Sequence, residues 1–225
     1  MQALKDRLEG VRYHRAHDGQ TFVSVTSAMR LVKILLNEPD DFYGPPALAK
    51  LAKVHALEGT GAHSASLDWL AHAFGWLPEY TPPKWPEAHG DERRWTNVMH
   101  QAQKGFAEFV EQFEVEPIGI EQEVFASMYG LYGHVDLYCS MKRKRSRVKA
   151  VVDLKFVASL MESHRLQTRC YGKCIPGTNI GILYHANRNT GIWKIEEVDL
   201  TQGLDDVAAV ANAARLYRWA EEKKR

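Results

Sequence analysis

Apolar and polar side chains alternate over residues 20–27 (QTFVSVTS), the period of a short strand or extended entry segment. Helical spacing takes over from Ala28 to Leu36 and stops near Asn37–Pro39, where proline disfavours continuation. Gly44–Pro46 punctuates the chain, and Ala47–Leu57 is helical again. Glu58–Ala73 then carries apolar residues at helical spacing, with Gly59 and Gly61 near its start. Residues 75–90 (GWLPEYTPPKWPEAHG) have no period and are rich in Pro, Gly and aromatics, which predicts a loop. A strong helix follows over Asp91–Phe113, opened by acidic residues that suit the positive end of a helix dipole.

Beyond Pro117 the pattern turns to strands: Ile120–Ser127 and Gly130–Cys139 alternate, and Val148–Phe156 is β-branched and apolar. Ala158–Cys174 reads as a helix stopped by Pro176–Gly177. Ile180–Ala186 and Gly191–Val198 form a predicted hairpin around Asn-Arg-Asn-Thr, and Leu204–Arg225 an amphipathic terminal helix with a basic tail. The order is a helical N-terminal half followed by β-β-β-α-β-β-α. With no repeat and no low-complexity linker, residues 1–225 are expected to form one α/β domain. Residues 1–116 would be its mostly helical part and 117–225 its sheet and terminal helix.

Composition narrows the class. Of 225 residues, 45% are hydrophobic and 25% charged, enough for a sizeable core and too apolar for intrinsic disorder. No run approaches the ~18 apolar residues of a membrane span, and MQALKDRLEG is too charged for a signal peptide. Three cysteines (Cys139, Cys170, Cys174) suit a reducing intracellular compartment better than a disulfide framework. The formal net charge of +1 points to no particular partner.

The chemistry lies in the strand-rich half: Gly133-His134-Val135-Asp136, Val151-Val152-Asp153-Leu154-Lys155 and Gln167-Thr168-Arg169-Cys170-Tyr171. On a strand, Asp153 and Lys155 share one face, with Val152 and Leu154 on the other. The short gap between Asp136 and Asp153 lets their strands pair and brings two carboxylates together. Their mutual repulsion is relieved by a hard divalent cation bound through oxygen. A lysine beside them can orient a water nucleophile or offset charge building on a phosphate. Gln167 and Tyr171, four apart, share a helix face.

This ordered series resembles the RecB-type branch of the PD-(D/E)xK nuclease superfamily: a Gly-x-x-Asp strand, an Asp/Glu-x-Lys strand and a Gln-x-x-x-Tyr helix. Upstream, Gly59-Thr60-Gly61-Ala62-His63 resembles that branch's Gly-Thr-x-x-His helix. Ser24-Val25-Thr26 resembles the Ser-Val-Thr opening of phage members and of the mitochondrial genome maintenance exonuclease. The motifs run in the expected order from about residue 22 to 175. The resemblance implies a restriction-endonuclease-like core, a central mixed sheet flanked by helices with a helical N-terminal elaboration that forms an arch. It implies metal ligands His63, Asp136, Asp153 and the Leu154 backbone carbonyl, with Lys155 as the catalytic lysine. Gln167 and Tyr171 would position the substrate backbone or support the site. Glu123, in preference to Glu121, takes the place of an acidic residue on the first strand. Phe156 departs from the Thr or Ser that many relatives carry after the lysine.

The implied activity is a Mg²⁺- or Mn²⁺-dependent deoxyribonuclease, an exonuclease on single-stranded or frayed DNA ends serving recombination, repair or replication. The alternatives are a structure-specific endonuclease of the same fold and a non-catalytic nucleic-acid-binding module. One imidazole among carboxylates favours Mn²⁺ or Mg²⁺ over zinc. Some relatives hold an iron–sulfur cluster through four cysteines; three cysteines, none before residue 139, do not suit one. The expected partners are DNA, as single strands or duplex ends, and a single-strand-binding or recombination protein; the expected location is the cytoplasm, that of the host if the chain is phage-encoded. Residues 142–149 (KRKRSRVK) place Lys142, Arg143, Lys144, Arg145, Arg147 and Lys149 in the turn between the two carboxylate-bearing strands. They are expected to contact phosphates beside the site. Trp76, Tyr80 and Trp85 either stack unpaired bases or pack their long loop onto its own domain.

Overall fold

A computed structural model describes residues 13–15, 21–36, 46–201 and 204–222. The expected helix stop at Asn37–Pro39, Gly44, the first ten residues and the KKR tail lie outside the described residues. Among the described residues, seven strands form one mixed sheet: β1 (Tyr13–Arg15), β2 (Thr21–Ser24), β3 (Glu116–Ala126), β4 (Leu131–Arg143), β5 (Ser146–Lys155), β6 (Ile180–Ala186) and β7 (Trp193–Val198). The path is β1-β2-β4-β5-β6-β7, and β3 pairs along β4. β2 with β4 and β5 with β6 are parallel, and the remaining pairs antiparallel.

Among the described residues, five helices flank the sheet: α1 (Val25–Leu35), α2 (Pro46–Ala73), α3 (Glu92–Gln112), α4 (Glu162–Cys174) and α5 (Leu204–Glu222). Adjacent β5 residues show why the sheet is sandwiched. Val151 joins a core with Val25, Leu166 and Val210 of α1, α4 and α5. Val152 and Leu154 join a second core with Leu67, Trp95 and Phe106 of α2 and α3. A continuous apolar run is what a strand covered on both faces requires. The central mixed sheet flanked by helices is the architecture implied by the resemblance. Among the described residues, no helix is long and apolar enough to cross a membrane.

Several boundaries differ from the sequence expectation: β3 starts four residues early and β4 runs four residues further than expected, and three differences in the helices stand out. Val25–Ser27 opens α1 instead of extending β2, because Val25 starts the i, i+3, i+4, i+7 series of buried Val25, Ala28, Met29 and Val32. Residues 47–73 form one helix, uninterrupted at Gly59 and Gly61. Gly61 serves an approach between helices: a Cβ there would lie 2.3 Å from the Trp95 ring. The α4 helix begins at Glu162, four residues later than expected, after a loop leading away from Lys155.

Candidate metal centre

The β4–β5 hairpin sets the floor of the site. Leu137 pairs with Val152, which puts Asp136 opposite Asp153. The Leu154 N–H donates to the Asp136 carboxylate at 2.7 Å. Lys155 Nζ reaches both Asp153 oxygens, at 2.8 and 2.7 Å. From above, α2 lowers His63 onto the same point, its Nε2 3.1 Å from Asp136 and its Nδ1 3.2 Å from Glu121. One ligand atom each from His63, Glu121 and Asp136 lie within 4.8 Å of one another.

Glu121, not Glu123, therefore supplies the acidic group of the first long strand. Its φ of +48° marks a local break in the strand, at a place where Ile120 and Gln122 pair with Leu137 and Val135 and Glu121 faces Asp136. Glu123 instead sits 3.3 Å from His14. Regular alternation cannot anticipate a left-handed residue inside a strand.

Asp153 stands apart from the three-residue group and is occupied by Lys155. Of Leu154 the structure shows the N–H at work, not the carbonyl. The electrostatics follow from burial. Burial pushes the Asp153 carboxyl up to about 6, against the opposing pull of Lys155. Burial would also raise Asp136, but His63, Lys155 and the Leu154 N–H outweigh it and hold it below its usual range. Burial lowers His63, yet the Asp136 and Glu121 carboxylates override it and raise the imidazole. Glu121 is raised by burial and by Asp136. Lys155, despite burial, is kept charged by Asp153 and Asp136. The donor set of two carboxylates and an imidazole, with Asp136 held ionised and Glu121 and His63 drawn up toward protonation, fits a divalent cation in place of those protons.

Support comes from behind. Tyr171 is buried beneath the hairpin, and its hydroxyl accepts from Gln167 Nε2 at 2.9 Å and bonds the Thr26 side chain. The Ser-Val-Thr and Gln-x-x-x-Tyr segments thus meet. Tyr171 also explains the glycine of Gly-x-x-Asp, since a Cβ on Gly133 would lie 2.6 Å from its ring. Phe156 turns into the α2–α3 core beside Tyr184.

No family model matches the chain, and no curated protein does. Among solved structures, the crystal structure of SSO0001 is similar at 13% identity, covering 87% of this chain and 84% of that one, with a TM-score of 0.37. An alkaline exonuclease from Laribacter hongkongensis, LHK-Exo, is similar at 7% identity, covering 76% of this chain and 97% of that one, with a TM-score of 0.39. At such identities, the chemistry of this site is read from its own side chains.

The basic turn does not adjoin the His63–Glu121–Asp136 group. Asp136 and Arg143 lie seven positions apart on β4, about 23 Å at ~3.3 Å per residue. Half of the basic set is also engaged: Lys142 pairs with Glu114 at 2.5 Å, Arg143 with Glu197, and Arg147 with Glu116 at 3.0 Å. Lys144, Arg145 and Lys149 have no ion pair among the described residues. In the 75–90 loop, Tyr80 is anchored by a 3.2 Å bond to Gln103, whereas Trp76 (48%) and Trp85 (36%) stay exposed.

One cluster had no signal in the sequence. Glu58 on α2 is fully buried, and its carboxylate takes His89 Nε2 at 3.1 Å and Arg94 Nε at 2.5 Å. Arg188, from the β6–β7 turn, completes it at 2.8 Å and donates to the Phe156 carbonyl at 3.2 Å. These partners are distant in the chain and carry no shared spacing.

Proposed function

We propose that the protein is a metal-dependent nuclease that hydrolyses DNA phosphodiester bonds, acting as an exonuclease on single-stranded or frayed ends. The observation that carries the reading is the convergence of His63, Glu121 and Asp136 beside the Asp153–Lys155 pair. His63, Glu121 and Asp136 would hold Mg²⁺ or Mn²⁺, with Asp153 at its flank. A cation there supplies Lewis-acid polarisation of a phosphoryl oxygen and makes water a stronger acid. Lys155, charged and pinned by Asp153, meets negative charge developing on the phosphate or orients the attacking water. The Leu154 N–H fixes the Asp136 carboxylate, and the Gln167–Tyr171–Thr26 bonds hold the floor of the hairpin.

The deciding experiment incubates end-labelled single-stranded DNA with Mg²⁺ or Mn²⁺, wild type beside Lys155→Ala. Wild type should degrade the strand, and the variant should be slower by about 10²–10³-fold. Equal rates would remove the reading. Covalently closed single-stranded circles should survive, as an exonuclease requires; their cleavage would assign endonuclease action instead.

A further inference from the structure

We infer that a strip of aromatic and histidine side chains, leading away from the metal centre toward the start of β4, is the track on which unpaired bases of the substrate strand stack. This rests on the nuclease reading above and adds where the strand lies. Opposed residues of an antiparallel pair project to one face, and positions two apart repeat that face. Starting from Glu121 and Asp136, the next row is Glu123 with His134, and the next Phe125 with Tyr132. The strip runs opposite to the direction of the basic turn.

Its chemistry is that of a base-stacking platform. Phe125 is 37% exposed and rests on the buried Tyr132 ring, 6.4 Å away and stacked with it, so that Phe125 presents the face and Tyr132 backs it. His14 reaches in from β1, 5.0 Å from Phe125 and 5.4 Å from Tyr132. His134, exposed, extends the row toward the metal centre, 6.5 Å from Tyr132. The one carboxylate inside the strip, Glu123, lies 3.3 Å from the His14 Nδ1 and is held against β1. From Asp136 to Tyr132 the strand advances about 13 Å, room for a few extended nucleotides.

Charge complementarity closes the far end. Phe22, 5.4 Å from Phe125, is also a wall of a groove of about 370 Å³ lined by Met128, Arg215 and Arg218. Two guanidiniums beside an aromatic row suit a single strand, whose phosphates and bases alternate. A duplex keeps its base faces stacked inside and cannot use the row.

The test is fluorescence anisotropy of a labelled 12-nucleotide oligothymidylate on the full chain in EDTA, where no hydrolysis intervenes. Phe125→Ala should weaken binding by about 5- to 100-fold, and the exposed His134→Ala by less. An abasic strand should bind wild type and Phe125→Ala equally. Arg215→Gln should lower the log–log salt slope by about 0.7. Near-UV circular dichroism checks that the variants are folded, and His134 and Arg215 are exposed enough to be replaced without loss of fold. Wild-type affinity in Phe125→Ala and His134→Ala, or equal affinity of wild type for a blunt duplex, overturns the track. Weakened binding in a protein that cleaves no DNA with any metal would leave the track standing and remove the nuclease reading.

Discussion

The Tyr171 ring lies so close to Gly133 that a Cβ there would come within 2.6 Å of it. The glycine of one strand and the tyrosine of a helix 38 positions later are a single fitted unit. Gly133→Ala should cost about 1–3 kcal/mol through overpacking, measured by denaturant unfolding. DNA cleavage should fall as well, because displaced Tyr171 no longer supports the hairpin floor. Unchanged stability would show that the ring moves aside freely.

Glu121 and Glu123 differ by one strand pleat but should differ sharply in metal binding. Glu121→Gln should weaken Mn²⁺ affinity by about 10- to 100-fold, read by calorimetry. Glu123→Gln, whose carboxylate meets His14, should leave it unchanged. The reverse result would put the cation elsewhere on β3.

Glu58→Ala should destabilise the fold by about 3–5 kcal/mol, because Arg94, Arg188 and His89 would lose their shared buried counter-charge. Chemical unfolding measures it. A cost below about 1 kcal/mol would mean that water replaces the carboxylate.

His164 gives the stability a pH dependence. Its imidazole is pushed down to about 3 by burial and then by Lys155, Lys33, His185 and Arg165. Its Nδ1 also accepts the Met161 N–H at 3.1 Å, a bond that protonation there would break. The unfolded chain takes up a proton near pH 6.5, whereas the folded protein resists until about pH 3. Stability should therefore fall as pH drops from about 6.5 to 3, by up to about 1.4 kcal/mol per pH unit from this group. His164→Asn, which keeps an acceptor for Met161, should flatten the profile in that window.

At the hairpin tip, Lys142, Arg143 and Arg147 already face carboxylates. Replacing Lys144, Arg145 and Lys149 together by Gln should reduce the salt slope of duplex binding by no more than about 3. A larger fall would show that the engaged residues also release their carboxylates to DNA.

The chemistry was most legible where it depended on strand spacing. Asp136, Asp153 and Lys155 meet because a short hairpin forces them to, and alternation also puts Val151 and Val152 into different cores. The choice between Glu121 and Glu123 was hidden because strand spacing puts both on one face; register decides it, with Glu121 at Asp136 and Glu123 paired with His134. The reach of the basic turn was hidden by the length of β4, since neighbours in a motif can stand two nanometres apart on an extended strand. Glu58 was hidden most completely, because its burial is decided by α3 and by the β6–β7 turn, not by its neighbours in α2.

That same carboxylate constrains the order in which the chain can mature. As synthesis proceeds, α2 and α3 can pack as soon as Trp95 finds Gly61, but Glu58 then has only His89 and Arg94 for company. Arg188 arrives after β6 is complete, bringing with it the bond to Phe156 that holds the end of β5. In chain order, then, Glu58 gains the last of these partners only after β6 has been made. A nascent protein would carry His63 and Glu121 long before Arg188 could tie α2 to the end of β5.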